Sequence, residues 1–499
     1  MNASFRKSQL FITVVGVVVF VSAGCEKKTP NIATVNQASS DQSKLVAESC
    51  WFSVPVGWAI DCFNFTSAGT HKRFNLPVVI FRNQSSAHRN DPLVYLSGGP
   101  GSDNFLGADN SEHWVQWLQR VNIARDLIVM EFRGTGRSQP QYRCRAYEQQ
   151  LRDSLGRNQS LADDGEALLV AMGLCLDEFR QRGFASEDFS TSVYADDLYR
   201  LQQLLEINTW NLMGASYGSR VAMDFSRRYP AATRAMVLDS VYPPGKGGLL
   251  SWPENLANSF AALWDECVNQ GDVCDQSAFT AERFWQTVRQ LNDNPIEVQV
   301  KHWDGGWPID AVINGHRFVF VVYNALYRNS GISMVKTAVA QLASGETAML
   351  TTLVERSVNS DLDSTFNPFT FFMVDCAETP TPTAAEFEVA RQRYPAFDGI
   401  TANAVELDVC RLFPQLASYD NFSTLHLDTT PALFLSGALD PVTPAQWVED
   451  VIKYYPNGHS WIFPTISHGV MANSDCAVSA VRSFLDSPTT FQQSECASE

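Results

Sequence analysis

Gly214-Ala215-Ser216-Tyr217-Gly218 spells G-x-S-x-G directly after the apolar run Trp210–Met213 and before a helix-like segment that reaches Tyr229. A serine on so sharp a strand-to-helix turn needs neighbours without side chains, and the helix N-terminus behind it favours negative charge. The chemistry such a serine does is nucleophilic attack on an acyl carbon, for which it needs a base and an acid to orient that base. Both follow apolar runs late in the chain: Asp440 after Ala432–Leu435, and His468 after Trp461–Phe463. Asp239, at the end of the apolar run that follows this G-x-S-x-G elbow, is the rival acid. His459 precedes its run, and the remaining histidines flank no such strand end. Charge developing on the attacked carbonyl oxygen needs N–H donors. Ser97-Gly98-Gly99-Pro100-Gly101 ends an earlier apolar run; Pro100 has no N–H to give, so Gly99, paired with the backbone N–H of Tyr217, is the expected donor.

The elements that position these residues alternate. Leu76–Phe81, Leu93–Leu96, Leu127–Phe132, Trp210–Met213 and Met236–Leu238 read as buried strands. Between them lie helical patterns, clearest from Ser192 onward, where Leu198, Leu201, Leu204 and Leu205 share a face. Strand and helix in alternation predict an α/β fold with a mostly parallel sheet and helices on both faces. After Asp239, prolines and glycines break the rhythm and a mainly helical stretch follows, until strands return at Ala432–Leu435 and Trp461–Phe463. The expected organisation is a core over 47–245, an inserted cap over 246–425, and a core C-terminal part over 426–499.

The N-terminus reads as an export signal over 1–24: Arg6 and Lys7, an apolar run Leu10–Val21, then Ser22-Ala23-Gly24. Cys25 stands where a bacterial lipobox would carry the lipidated cysteine. A polar tether is expected over 25–46. Ten cysteines remain besides Cys25, which permits five disulfides in an oxidising compartment; short separations suggest Cys50–Cys62 and Cys267–Cys274, and Cys144–Cys175, Cys376–Cys410 and Cys476–Cys496 complete a local pairing scheme, although sequence leaves other connectivities open. No C-x-x-C or H-x-x-x-H pair occurs, so no metal is expected. With 54 acidic against 37 basic residues and a formal charge of -17, the chain would repel nucleic acid. Membrane contact is expected only through a lipid at Cys25.

Ser97-Gly98-Gly99-Pro100-Gly101, Glu131-Phe132-Arg133-Gly134-Thr135-Gly136-Arg137-Ser138, the elbow, Asp440-Pro441-Val442-Thr443-Pro444 and Ser467-His468-Gly469 fall in family order. With them the chain resembles the proline iminopeptidase and tripeptidyl-aminopeptidase branch of the α/β-hydrolases, including a tripeptidyl-aminopeptidase-like C-terminal region. The family often has His where Ser97 stands and Asp where Glu131 stands. The resemblance implies an exported periplasmic or envelope serine aminopeptidase, without cofactor, that acts on peptides with free N-termini. It also implies cap carboxylates that hold the substrate amine; Asp375-Cys376-Ala377-Glu378 resembles a cap-proximal motif of this branch, with Glu378 the first candidate and Asp375 the second. An esterase or lipase on the same scaffold and a non-catalytic envelope binding protein are the alternatives, because one fold hosts many functions.

Overall fold

Period-two burial sets the central strands. In β3 (Arg73–Arg82) Leu76, Val78 and Ile80 enter one apolar cluster while Val79 and Phe81 enter another, so the sheet is covered on both faces. The computed structural model describes residues 43–107, 111–269, 279–397, 404–413 and 424–493. The expected signal, the lipidation site Cys25, Cys274 and Cys496 lie outside the described residues, so the expected pairs Cys267–Cys274 and Cys476–Cys496 do too. The remaining strands are β1 (Lys44–Glu48), β2 (Ala59–Ala68), β4 (Arg89–Leu96), β5 (Arg125–Met130), β6 (Trp210–Ala215), β7 (Thr233–Asp239), β8 (Ile296–Lys301), β9 (Pro308–Ile313), β10 (Ala432–Gly437) and β11 (Gly458–Phe463). Nine of them form one sheet in the order β1-β2-β3-β5-β4-β6-β7-β10-β11. Pairings from β1 through β3 to β5 are antiparallel, and those from β5 through β4 to β11 are parallel. The fold is the expected α/β architecture with a mostly parallel sheet. β1 begins at Lys44, inside the span expected as tether.

Among the helices, α1 (Ser111–Val121), α2 (Arg145–Leu155), α3 (Leu161–Gln181), α4 (Thr191–Leu204) and α5 (Tyr217–Arg228) precede the expected cap. Within it come α6 (Gly248–Asn269), α7 (Ala281–Asp293), α8 (Gly315–Leu326), α9 (Gly331–Ala343), α10 (Ala348–Asp361), α11 (Pro368–Glu378), α12 (Ala384–Gln392) and α13 (Ala404–Leu412). One face of the sheet packs on α4 and α5 through Tyr194, Leu198, Val221 and Phe225. The other packs on Trp114 of α1 and on Val481 and Phe484 of the C-terminal helix Asp475–Asp486.

The inserted segment has a core of its own, with Phe260, Phe284, Phe318, Val322, Val335 and Val354 buried together. It also carries a two-stranded hairpin, β8–β9, whose signal is the alternation Ile296, Val298, Val300. Packing crosses between the 246–425 segment and the rest of the chain. Phe369, Met373 and Val374 of α11 belong to the sheet's core, while Leu151 and Leu155 of α2 pack against that of the insertion.

Disulfides join Cys50 to Cys62, Cys144 to Cys175 and Cys376 to Cys410, as in the local pairing scheme. Such cysteine usage is consistent with an exported chain. Among the described residues, no helix is long and apolar enough to cross a membrane, and no group of three or more metal-ligating side chains is assembled.

Candidate active site

Ser216 follows β6 and precedes α5 with φ 53° and ψ −121°, a conformation that a residue with a side chain adopts only when its surroundings enforce it. Those surroundings are backbone. A Cβ on Gly214 would lie 2.3 Å from the Gly218 carbonyl oxygen, and one on Gly218 would lie 2.0 Å from that of Leu96, at the end of β4. The flanking glycines therefore let strand and helix close on each other. The Ser216 N–H donates to the Asp239 carbonyl at 2.8 Å, which ties the turn to the end of β7.

The Ser97–Gly101 loop runs against this serine: a Cβ on Gly98 would sit 3.1 Å from the Ser216 Cβ and 3.5 Å from its Oγ. Gly99, the expected oxyanion donor, has φ 107°, open only to glycine at low cost. Asn104 braces the loop by accepting from the Ser97 N–H at 3.2 Å and donating to the Met130 carbonyl at 2.8 Å. Its own N–H donates to Glu131 at 3.1 Å. Burial pushes the Glu131 carboxyl up to about 8, with Asp103 adding to the effect. Tyr217, whose N–H is the second expected donor, opens α5, and its buried hydroxyl lies 2.7 Å from Thr191 Oγ1.

Asp440 follows β10, and His468 follows β11. Nδ1 of His468 lies 2.8 Å from Asp440 Oδ2. Asp440 also accepts from the N–H groups of Val442 at 2.8 Å and Thr443 at 2.9 Å, and from the Thr443 hydroxyl at 2.7 Å. Its burial favours the neutral acid, but His468 and the Thr443 donors outweigh this and hold its pKa below the ordinary value. Burial likewise disfavours the imidazolium, yet Asp440 and then Asp239 outweigh it, so the His468 pKa is raised. The rival acid is engaged with backbone instead, since Asp239 accepts from the N–H groups of Val470 and Met471, at 2.8 and 2.9 Å. Sequence reasoning missed that role, and it missed two insertion residues beside the histidine. Tyr327 lies edge-on to the His468 ring with centroids 5.6 Å apart, and Asn329 accepts from the Ser467 N–H at 2.8 Å.

The alpha/beta hydrolase fold family is matched over residues 91–472. The chain belongs to the α/β-hydrolase family. It is similar to YuaR of Escherichia coli (strain K12), provisionally named a hydrolase, at 22% identity over 233 residues. That alignment covers 44% of each protein, so the chain spans less than half the length of this relative. Solved structures similar to it include the proline iminopeptidase of Mycobacterium smegmatis, at 14% identity and TM-score 0.39 over 85% of this chain and 98% of that one. A thermophilic esterase from Thermogutta terrifontis is similar at 14% identity and TM-score 0.39, over 86% of this chain and 98% of that one.

In this α/β-hydrolase the two expected substrate carboxylates meet around a cation that sequence reasoning overlooked. Glu378 accepts from the Thr191 N–H at 2.5 Å and from the Thr191 hydroxyl at 2.6 Å, with Arg220 Nη1 4.0 Å away. It is buried, which pushes its pKa up to about 7 against the pull of Arg220 and Thr191. Asp375, one helical turn earlier, is half-buried and accepts from the Tyr242 hydroxyl at 2.6 Å. The Arg220 guanidinium lies 3.7 Å from the centroid of that same tyrosine ring. The one signal for Arg220 was its place in a helix whose neighbours Tyr217 and Val221 are apolar, since an arginine on a buried face requires anionic partners.

Proposed function

We propose that this α/β-hydrolase is a serine hydrolase, with Ser216 as nucleophile, His468 as general base and Asp440 as the acid that orients it. The observation that carries the reading is the 2.8 Å His468–Asp440 hydrogen bond, on loops that follow β11 and β10 beside the strained Ser216 turn. His468 Nε2 takes the Ser216 proton as Oγ bonds to the substrate carbonyl carbon, and the N–H groups of Gly99 and Tyr217 hold the resulting oxyanion. The intermediate collapses, the leaving group takes the proton from His468, and water repeats the sequence to free the enzyme. Ser216→Ala should lower turnover at least ~10³-fold, taking triad loss as the guide, and abolish labelling by a fluorophosphonate. Retained turnover in the folded variant would reject Ser216.

The substrates we assign are peptides with a free N-terminus, supported by the family order of the motifs and by an insertion that reaches the histidine loop. Of the two carboxylates, half-buried Asp375 is assigned to the substrate ammonium, and Glu378 braces α11 against α4. The engagement of both with Arg220 and its neighbours favours a second reading, an esterase on the same scaffold. N-acetylated and unblocked peptides separate the two: the aminopeptidase reading requires that acetylation abolish cleavage, and equal rates would replace it by the esterase. Export to the envelope, with Cys25 lipidated, completes the proposal; the intact mass of the mature chain reads both.

A further inference from the structure

Every backbone N–H from Ser467 to Met471 apart from that of His468 itself is held by a side chain from outside the loop. Asn329 takes that of Ser467, the Ser240 hydroxyl that of Gly469 at 2.8 Å, and Asp239 those of Val470 and Met471. Three of these four bonds therefore end on two adjacent residues at the end of β7. The same pair reaches the other partners. The Asp239 carbonyl receives the Ser216 N–H at 2.8 Å, and the Ser240 N–H donates to the Leu435 carbonyl of β10 at 2.9 Å. Both are buried, and Ser240 is held at φ 53°.

Sheet order explains why this position can reach all of them. β7 lies between β6, which carries the serine, and β10, which carries the acid, with β11 and the histidine one strand further. Gly469 precedes the short helix Val470–Asn473 and has no side chain to cap it, so acceptors must come from elsewhere. We propose that Asp239 is a positioning residue that fixes the His468 loop against the Ser216 turn, with Ser240 as its auxiliary. This assignment rests on the serine-hydrolase reading for its effect on rate.

The charged and titratable groups facing Asp239 are His468, Asp440 and Tyr95. Those facing His468 are Asp440 and Asp239, with the Tyr327 ring packed beside it. Asp239 thus acts on His468 through charge as well as through the loop. Asp239→Asn keeps one acceptor, turns an amide donor toward a backbone donor and removes the charge. The expected result is a kcat reduced ~10–100-fold per fluorophosphonate-titrated site, with KM within about twofold. The His468 titration, followed by NMR in the full chain, and the acid limb of kcat/KM should both move to lower pH. A merely structural residue would lower the titratable fraction and leave kcat per site and both pH readouts in place. Ser240→Ala, which removes an acceptor without changing charge, should reduce kcat per site severalfold and leave the His468 titration where it is. Unchanged kcat per site and an unmoved His468 titration in Asp239→Asn would overturn the proposal. If that variant does not fold, wild-type kcat per site in Ser240→Ala would overturn it equally. Failure of the underlying reading would show separately, as turnover by Ser216→Ala, while the NMR titration still reports on Asp239.

Discussion

His468 balances three influences, and their order predicts a pH profile. Burial of the ring opposes its protonation, Asp440 at Nδ1 favours it, and Asp239 adds a smaller push in the same direction, so the pKa lies above the ordinary 6.5. A general base must be neutral to accept the Ser216 proton, so kcat/KM should rise as pH rises through that pKa, with the acid limb above 6.5. A limb below that value would contradict the balance. Asp440→Asn removes the larger favourable influence and presents the wrong tautomer to the ring. It should lower kcat by ~10⁴-fold, as loss of the orienting acid does elsewhere, and move the limb to lower pH. The candidate nucleophile, acid and base were legible as residues because each follows a recognisable apolar run. Arg220 was not, because its partners Glu378 and Asp375 lie more than 150 positions away.

Between elements, the constraint that bears on the site is the crossing of α5 over the end of β4. Gly218 fills it, and an added methyl would meet the carbonyls of Leu96 at 2.0 Å and Ser97 at 2.7 Å. Those are backbone atoms of the Ser97–Gly101 loop and of the strand before it, and they cannot swing aside. Gly218→Ala should therefore destabilise the fold by ~3 kcal/mol, at the upper end of overpacking costs, and reduce turnover more than ~100-fold by displacing Ser216. Gly173, inside α3, has nothing within 4 Å of an added Cβ. There Ala should stabilise by ~1 kcal/mol through helix propensity, with turnover unchanged. Urea denaturation and reporter hydrolysis on the two variants give the comparison, and equal effects would refute the steric argument. The same steric need made the G-x-S-x-G element readable in advance. The β8–β9 hairpin escaped notice because six-residue strands in a helical neighbourhood carry a weak periodic signal.

At the scale of the molecule, the inserted segment returns to the sheet through α11, and Cys376–Cys410 pins that helix to α13 across 34 residues. Closing a loop of that length restricts the unfolded chain by ~4 kcal/mol. The double variant Cys376→Ala, Cys410→Ala should lose about that much in denaturant titration under non-reducing conditions; a loss below ~0.5 kcal/mol would place the bond's effect elsewhere. The sequence by itself determined the strand and helix alternation, the residues that close the strands, and hence the α/β-hydrolase family, because apolar periodicity and glycine sterics act over a few residues. It also suggested the three disulfide pairs, since a local pairing scheme joins cysteines near one another in sequence. Only the tertiary structure decided that Asp440 rather than Asp239 hydrogen-bonds to the imidazole, and that Glu378 turns inward to Thr191 and Arg220. Those outcomes depend on which strand ends become neighbours when β10 and β11 join the sheet after a long insertion. Strand order is settled by packing across the whole sheet, and no local pattern encodes it.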